Sequence, residues 1–263
     1  MPFLLTGHTE LYYDILPTNI TTMQQSTSHP ILLLHGFAGT PQSDFTGQLP
    51  LLTLHYTVLA PHLHGYGHSS HRTSYGTHYY REDVADLVAL LDVLFLKQVY
   101  VLGFSDGGIT ALLLAALHPQ RVAALAVLGA QATINTRDVA AIRSWLLEKP
   151  LSPEWQEELA RLHGDPYWRS LPALYVQAQE DLVESGGVLI SEQELATISC
   201  PTLIMHGTRD RVVAVEYAHM LHERIPSSHL LLFDAGHAAH LRCQDEYNAA
   251  ILRFFQHPDT FTL

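Results

Sequence analysis

The sequence predicts an α/β fold, a mostly parallel central sheet flanked by helices with a helical segment inserted late in the chain. Three observations carry this. Short apolar runs alternate with stretches of helical spacing, as in a sheet covered by helices. Runs such as Ile31–Leu34 and Val122–Leu128 are unbroken rather than alternating, which fits strands buried on both faces. The rhythm stops between residues 131 and 199 and resumes at Pro201. At 263 residues, 47% hydrophobic and 15% charged, the chain is long enough for one large domain and too apolar for disorder.

Taken in order, Leu11–Ile15 reads as an early strand and Ser26–Pro30 as a turn into the strand Ile31–Leu34. That strand ends in His35-Gly36-Phe37-Ala38-Gly39. Thr57–Ala60 is a further strand, running into the glycine-rich turn Pro61–Ser70. Within Tyr80–Leu94, apolar residues at 84, 87, 88, 91 and 94 have helical spacing. Gln98–Leu102 is a strand, Gly107–Leu117 a helix and Val122–Leu128 a strand. Segment 131–199 holds all three tryptophans and eleven acids against five bases, without strand signals. It is expected to be a helical cap, with 1–130 and 200–263 forming the core. The alternation then returns with the strand Pro201–Met205, the helical stretch Val213–Arg224, the strand Leu230–Phe233 and a last helix over His240–Phe255.

Composition excludes several functions. Acids outnumber bases 26 to 14, against the basic patch expected of a nucleic-acid binder or of a protein docked on anionic membrane. No apolar run reaches the roughly 18 residues a spanning helix needs. The N-terminus lacks the pattern of a secretory leader, and two cysteines, Cys200 and Cys243, allow one bridge but fit better two free thiols in a reducing compartment. The expectation is a cytoplasmic monomer or homodimer acting on a small molecule. The 18 histidines invite a metal reading, and His62, His64, His68 and His71 cluster near one loop. Alternate spacing on a turn does not bring imidazoles to one face, and no cysteine-rich or glutamate-rich partner accompanies them. Neither a metal nor a cofactor is expected.

The chemistry is carried by Gly103-Phe104-Ser105-Asp106-Gly107-Gly108, a Gly-x-Ser-x-Gly turn between a strand and a helix. In that context the sharp turn exposes the serine, and glycines two before and two after it let backbone segments approach closely. A serine hydroxyl needs a base, and the base an orienting acid. Two later strands end in candidates: Asp210 after His206-Gly207-Thr208-Arg209, and His237 after Asp234-Ala235-Gly236. In an open parallel sheet such ends share one edge, so the three converge. Asp234 and His240 are the rivals, set aside because one sits at a strand end and the other where the last helix begins. The oxyanion needs two donors. The backbone amides of Asp106 and of Phe37, beside Gly36, are expected to supply them.

These motifs in this order resemble the α/β-hydrolase family over nearly the whole chain, with 131–199 where that family carries its cap. The turn Gly65-Tyr66-Gly67-His68-Ser69 is similar to the family's Gly-x-Gly-x-Ser, although His62 and His64 replace its usual preceding residues. Gly103–Leu112 and His237–Asn248 resemble more closely the valacyclovir hydrolase (biphenyl hydrolase-like) group. The resemblance implies a serine hydrolase cleaving small esters or amides, α-amino-acid esters among them, with Asp106 binding the substrate ammonium. A carboxylate beside an oxyanion hole is tolerable only if it points away, is paired or binds a cation. A helix-start carboxylate satisfied by local amides is the plainer alternative. Gly36, Trp145 and Trp168 are further candidates to touch substrate. The three tryptophans, with Tyr167 and Tyr175, either wall a pocket or pack a small lid. Carbon–carbon bond hydrolysis on the same residues and a non-catalytic small-molecule receptor remain as alternatives.

Overall fold

A computed structural model of the chain describes residues 3–7, 9–17 and 29–263. Among them the strands β1 (Phe3–Thr6), β2 (Thr9–Leu16), β3 (Ile31–Leu34), β4 (Val58–Pro61), β5 (Val99–Phe104), β6 (Val122–Leu128), β7 (Thr202–Gly207) and β8 (Ser228–Phe233) form one sheet, in the order β1-β2-β4-β3-β5-β6-β7-β8. The pairs β1–β2 and β2–β4 are antiparallel, and every later pair is parallel. Strand β1, absent from the sequence expectation, makes a hairpin with β2. Residues 26–28 of the expected turn lie outside the described residues.

The helices are α1 (Pro41–Asp44), α2 (Leu49–Leu52), α3 (Tyr79–Val93), α4 (Asp106–Leu117), α5 (Thr136–Leu146), α6 (Pro153–His163), α7 (Leu171–Glu184), α8 (Glu192–Ala196), α9 (Val215–Arg224), α10 (Ala239–Arg242) and α11 (Gln244–Gln256). The expected last helix is thus broken at Cys243, where the backbone leaves helical geometry (φ −115°, ψ 44°). No helix among the described residues is long and apolar enough to cross a membrane.

Period-2 alternation along the strands divides the core. Leu32, Leu34, Val101, Leu125 and Val127 face one way and pack with Leu87, Leu91, Leu112 and Ala218. Ile31, Leu33, Leu102, Ala126 and Leu128 face the other, against Phe45, Tyr247, Ile251 and Phe254. Burial on both faces explains the unbroken apolar runs. The outer strand β8 is half-buried over most of its length. At the other end of the sheet the buried Arg72 guanidinium pairs with Asp83 on α3, and Thr6 on β1 donates to Asp86.

Between β6 and β7 the chain contributes no strand to the sheet, only α5 to α8, a short 3-10 turn (Tyr167–Ser170) and an isolated bridge Thr133–Val188. Its helix starts are written locally: Asn135, Ser152 and Ser191 each accept a first-turn N–H.

Candidate active site

Strand β5 ends at Phe104, and Ser105 adopts φ 53°, ψ −121°, a conformation that costs a residue bearing Cβ and projects its hydroxyl from the turn. The glycines are required by contact. A Cβ on Gly103 would lie 2.5 Å from the Gly107 carbonyl oxygen, and one on Gly107 would lie 2.3 Å from that of Leu34. Helix α4 begins at Asp106, so the Asp106 amide has no intrahelical acceptor.

Parallel strands bring the partners to the same sheet edge. His237 Nε2 is 2.9 Å from Ser105 Oγ, and its Nδ1 is 2.7 Å from Asp210 Oδ2. Asp210 Oδ1 accepts the amides of Val212 and Val213 at 2.8 and 3.0 Å. His206, fully buried on β7, brings Nε2 to 2.9 Å from the Val213 carbonyl and 3.3 Å from Asp210 Oδ2. Burial would raise the Asp210 carboxyl, but hydrogen bonds from His206 and His237, with the Val213 amide, hold it well below the usual carboxylate range. The carboxylate therefore stays charged and fixes the proton on His237 Nδ1, leaving Nε2 to accept from the serine. The rivals stand apart from this relay. Asp234 is exposed and paired with Arg209, while His240 Nε2 donates to the Asp44 carbonyl.

The loop after β3 lies against the serine: a Cβ on Gly36 would be 3.1 Å from Ser105 Cβ. Its backbone is pinned on both sides. The Gly36 amide donates to Asp44 Oδ2 at 2.8 Å, and His35 Nδ1 donates to the Gly36 carbonyl at 2.8 Å. Since the amide of a trans peptide is antiparallel to its carbonyl, holding the Gly36 oxygen orients the Phe37 N–H.

A cavity of about 230 Å³ opens over Ser105 and His237. Apolar walls come from Phe37, Ile109, Ile142, Val212, Trp145 and Trp155, the last two stacked 5.3 Å apart. Its polar side holds Asp106, Tyr80, Gln131, Tyr175 and Gln179. Asp106 is 7% exposed, and its Oδ1 accepts the hydroxyls of Tyr80 at 2.7 Å and Tyr175 at 3.0 Å. Burial raises its carboxyl to about 6, against the pull of those two hydroxyls and of His237. The carboxylate is thus paired by side chains from α3 and α7, not by the local amides of its own helix start. Tyr175 also stacks on Phe37, ring centroids 3.9 Å apart.

Of the residues expected to touch substrate, Trp145 lines the cavity. Gly36 instead packs behind Ser105. Trp168 does not line it either, which corrects that expectation. It is buried beside Ala38 and Leu159, because the 3-10 turn carrying it packs against α6. Trp155 takes the place on the wall, and Tyr167 stacks on His71. In the 62–71 loop, His62 Nδ1 accepts the His68 amide and His62 Nε2 meets Gln42 Oε1, while the His68 ring stacks on that of His62. No group of three or more His, Cys, Asp or Glu that could hold a metal ion occurs among the described residues. Tyr80, Gln131, Gln179 and His206 are not singled out by the sequence: Tyr80 and Gln179 lie on helices, His206 lies within β7, and Gln131 follows β6 with no motif around it.

Comparison with known proteins agrees with this architecture. A family model described as alpha/beta hydrolase fold matches residues 29–242. Serine hydrolase BPHL of Homo sapiens is 32% identical over 231 residues, covering 87% of this chain and 79% of that protein. The 2-hydroxy-6-oxo-2,4-heptadienoate hydrolase of Pseudomonas putida is 28% identical over 247 residues, covering 86% and 87%. Among solved structures, the 2-hydroxy-6-oxo-6-phenylhexa-2,4-dienoate hydrolase of Rhodococcus sp. strain RHA1 superposes with a TM-score of 0.79 at 20% identity, covering 97% of this chain and 98% of that one.

Proposed function

The chain belongs to the α/β-hydrolase fold family, and from that premise we propose that it is a serine hydrolase of small carboxylic esters or amides, with a preference for those bearing a free α-amino group. The observation that carries the reading is the continuous relay from Ser105 through His237 to Asp210, at 2.9 and 2.7 Å. Ser105 Oγ attacks the acyl carbon as its proton passes to His237 Nε2, and Asp210 steadies the imidazolium. The amides of Phe37 and Asp106 hold the oxyanion. His237 returns the proton to the leaving oxygen or nitrogen as that bond breaks. Water then repeats the sequence on the acyl-enzyme and frees Ser105. Segment 131–199 acts as the cap, closing the cavity over the serine. A cytoplasmic location belongs to the same reading, since Cys200 and Cys243 are both free thiols.

The amine preference rests on Asp106. A buried carboxylate on the wall of the cavity supplies a counter-charge for an ammonium, and the cavity wall carries no lysine or arginine among the described residues. The same feature weighs against the carbon–carbon alternative if its substrate is a carboxylate, as is the heptadienoate named for the Pseudomonas putida relative. An acidic wall repels such an anion.

A fluorophosphonate probe is expected to label Ser105, with labelling abolished in Ser105→Ala; an unlabelled wild type would sink the hydrolase reading. Paired kcat/KM values for an α-amino ester and its deaminated analogue test the preference. Wild type should favour the amine and Asp106→Asn should not. Equal rates in wild type overturn the role given to Asp106.

A further inference from the structure

We infer that His163, the last residue of α6, is a positioning residue for the oxyanion loop: by holding the Ala38 carbonyl it keeps residues 36–39 in the conformation that aims the Phe37 amide at Ser105. The inference rests on the hydrolase reading above and adds a residue that motif and resemblance leave aside.

The starting observation is Ala38 itself, at φ 57° in the left-handed region although it carries a Cβ. Such a conformation persists only where the surroundings over-determine it, and it clusters at sites where backbone direction matters. Part of the restraint comes from the core, through Asp44 and His35 on either side of Gly36. The rest comes from the inserted segment. His163, buried and 125 positions away, brings Nε2 to 2.9 Å from the Ala38 carbonyl. A carbonyl only accepts, so Nε2 carries the proton. Nδ1 in turn accepts the Gly67 amide at 2.9 Å. Both ring nitrogens are thereby satisfied in the neutral form, which burial also favours.

Apolar contacts from the same segment add to this grip. Leu159, one turn earlier on α6, and Trp168, after its end, are buried against Ala38. One imidazole therefore joins three pieces of chain: α6, the loop after β3 and the glycine-rich loop after β4. The Phe37 amide and the Ala38 carbonyl are separated by only two residues' backbone torsions. Releasing that carbonyl lets Ala38 relax to negative φ and leaves the Phe37 N–H restrained from the Gly36 side alone.

Two amide substitutions separate this role from a generic staple. In His163→Gln the side-chain nitrogen reaches the position of Nε2 and keeps the Ala38 contact. In His163→Asn the oxygen falls at the position of Nδ1 and keeps only the Gly67 contact. With p-nitrophenyl acetate as substrate, kcat should fall about tenfold to a hundredfold in His163→Asn, below the loss for deleting an oxyanion donor outright, with KM within about twofold. His163→Gln should stay within about threefold of wild type, on the same reasoning. Adding Ala38→Gly to His163→Asn removes the left-handed penalty and should recover about fivefold in kcat. Hydrogen–deuterium exchange over residues 36–40 should quicken in His163→Asn and not in His163→Gln. Equal kcat losses in the two variants, or unchanged exchange in His163→Asn, overturn the inference. If wild type does not hydrolyse the ester, the hydrolase reading fails, and the exchange result alone decides whether His163 holds the loop.

Discussion

Asp106→Asn should make the protein more stable at neutral pH while removing the amine preference proposed for it. The carboxyl is raised from 3.8 to about 6, chiefly by burial, so the folded protein binds this proton more tightly than the unfolded chain does. At about 1.4 kcal/mol per pKa unit, keeping Asp106 ionised costs the fold at most about 3 kcal/mol. The sign is fixed by proton count. Between pH 3.8 and about 6 the native state holds the extra proton, so this group lowers stability as pH rises through that window. The cost is complete above it and absent below it. Asparagine is nearly isosteric, and its oxygen still accepts the Tyr80 and Tyr175 hydroxyls. For a chain of this size, 3 kcal/mol corresponds to about 5 °C in Tm. Paired thermal melts of wild type and Asp106→Asn across pH 4 to 7.5 are the assay. The variant should melt higher at pH 7.5, by a margin that shrinks through pH 6 and vanishes near pH 4. No gain at pH 7.5, or a gain independent of pH, refutes the reasoning. Confirmation would mean that the site retains a charge the fold alone would discard.

Three other outcomes follow from the geometry. Asp210→Asn should lower kcat by about 10⁴-fold with the fold intact by circular dichroism, because an amide can favour the His237 tautomer that carries its proton on Nε2. Gly107→Ala places a Cβ 2.3 Å from the Leu34 carbonyl oxygen, and urea unfolding should register a loss of about 3 kcal/mol or more. The selectivity of wild type for an α-amino ester over its deaminated analogue should decline as pH falls through about 6, where Asp106 takes up its proton; a flat ratio from pH 5 to 8 contradicts this.

Much of the core was legible because parallel strands announce themselves. Ser105, Asp210 and His237 each follow an apolar run closed by glycine, and a sheet edge is the one place where such ends meet. The paired state of Asp106 was not legible. Its partners Tyr80, at the start of α3, and Tyr175, on the second turn of α7, are buried tyrosines that read as ordinary packing, and only tertiary structure brings their hydroxyls onto one oxygen. Trp168 was misplaced for a related reason. Outside the sheet no strand fixes which way a short turn faces, so aromatic content alone did not tell wall from filler, and Trp155 holds the position expected of it. The hairpin strand β1 was missed because Phe3–Thr6 is too short for alternation to register.

The half-buried outer strand β8 has a consequence for when, along the chain, the protein becomes an enzyme. The serine's turn is complete once β5 has paired with β3 and β6, yet the base proposed for it arrives 132 positions later, just beyond the outermost strand. A ribosome-bound or clipped chain ending before residue 228 would carry the proposed nucleophile in an otherwise well-paired sheet and lack His237, the base proposed for it. Fraying of that one border strand has the same effect in the finished molecule. Turnover is therefore the most demanding report on folding this chain offers, and it should fade while the bulk of the sheet is still intact.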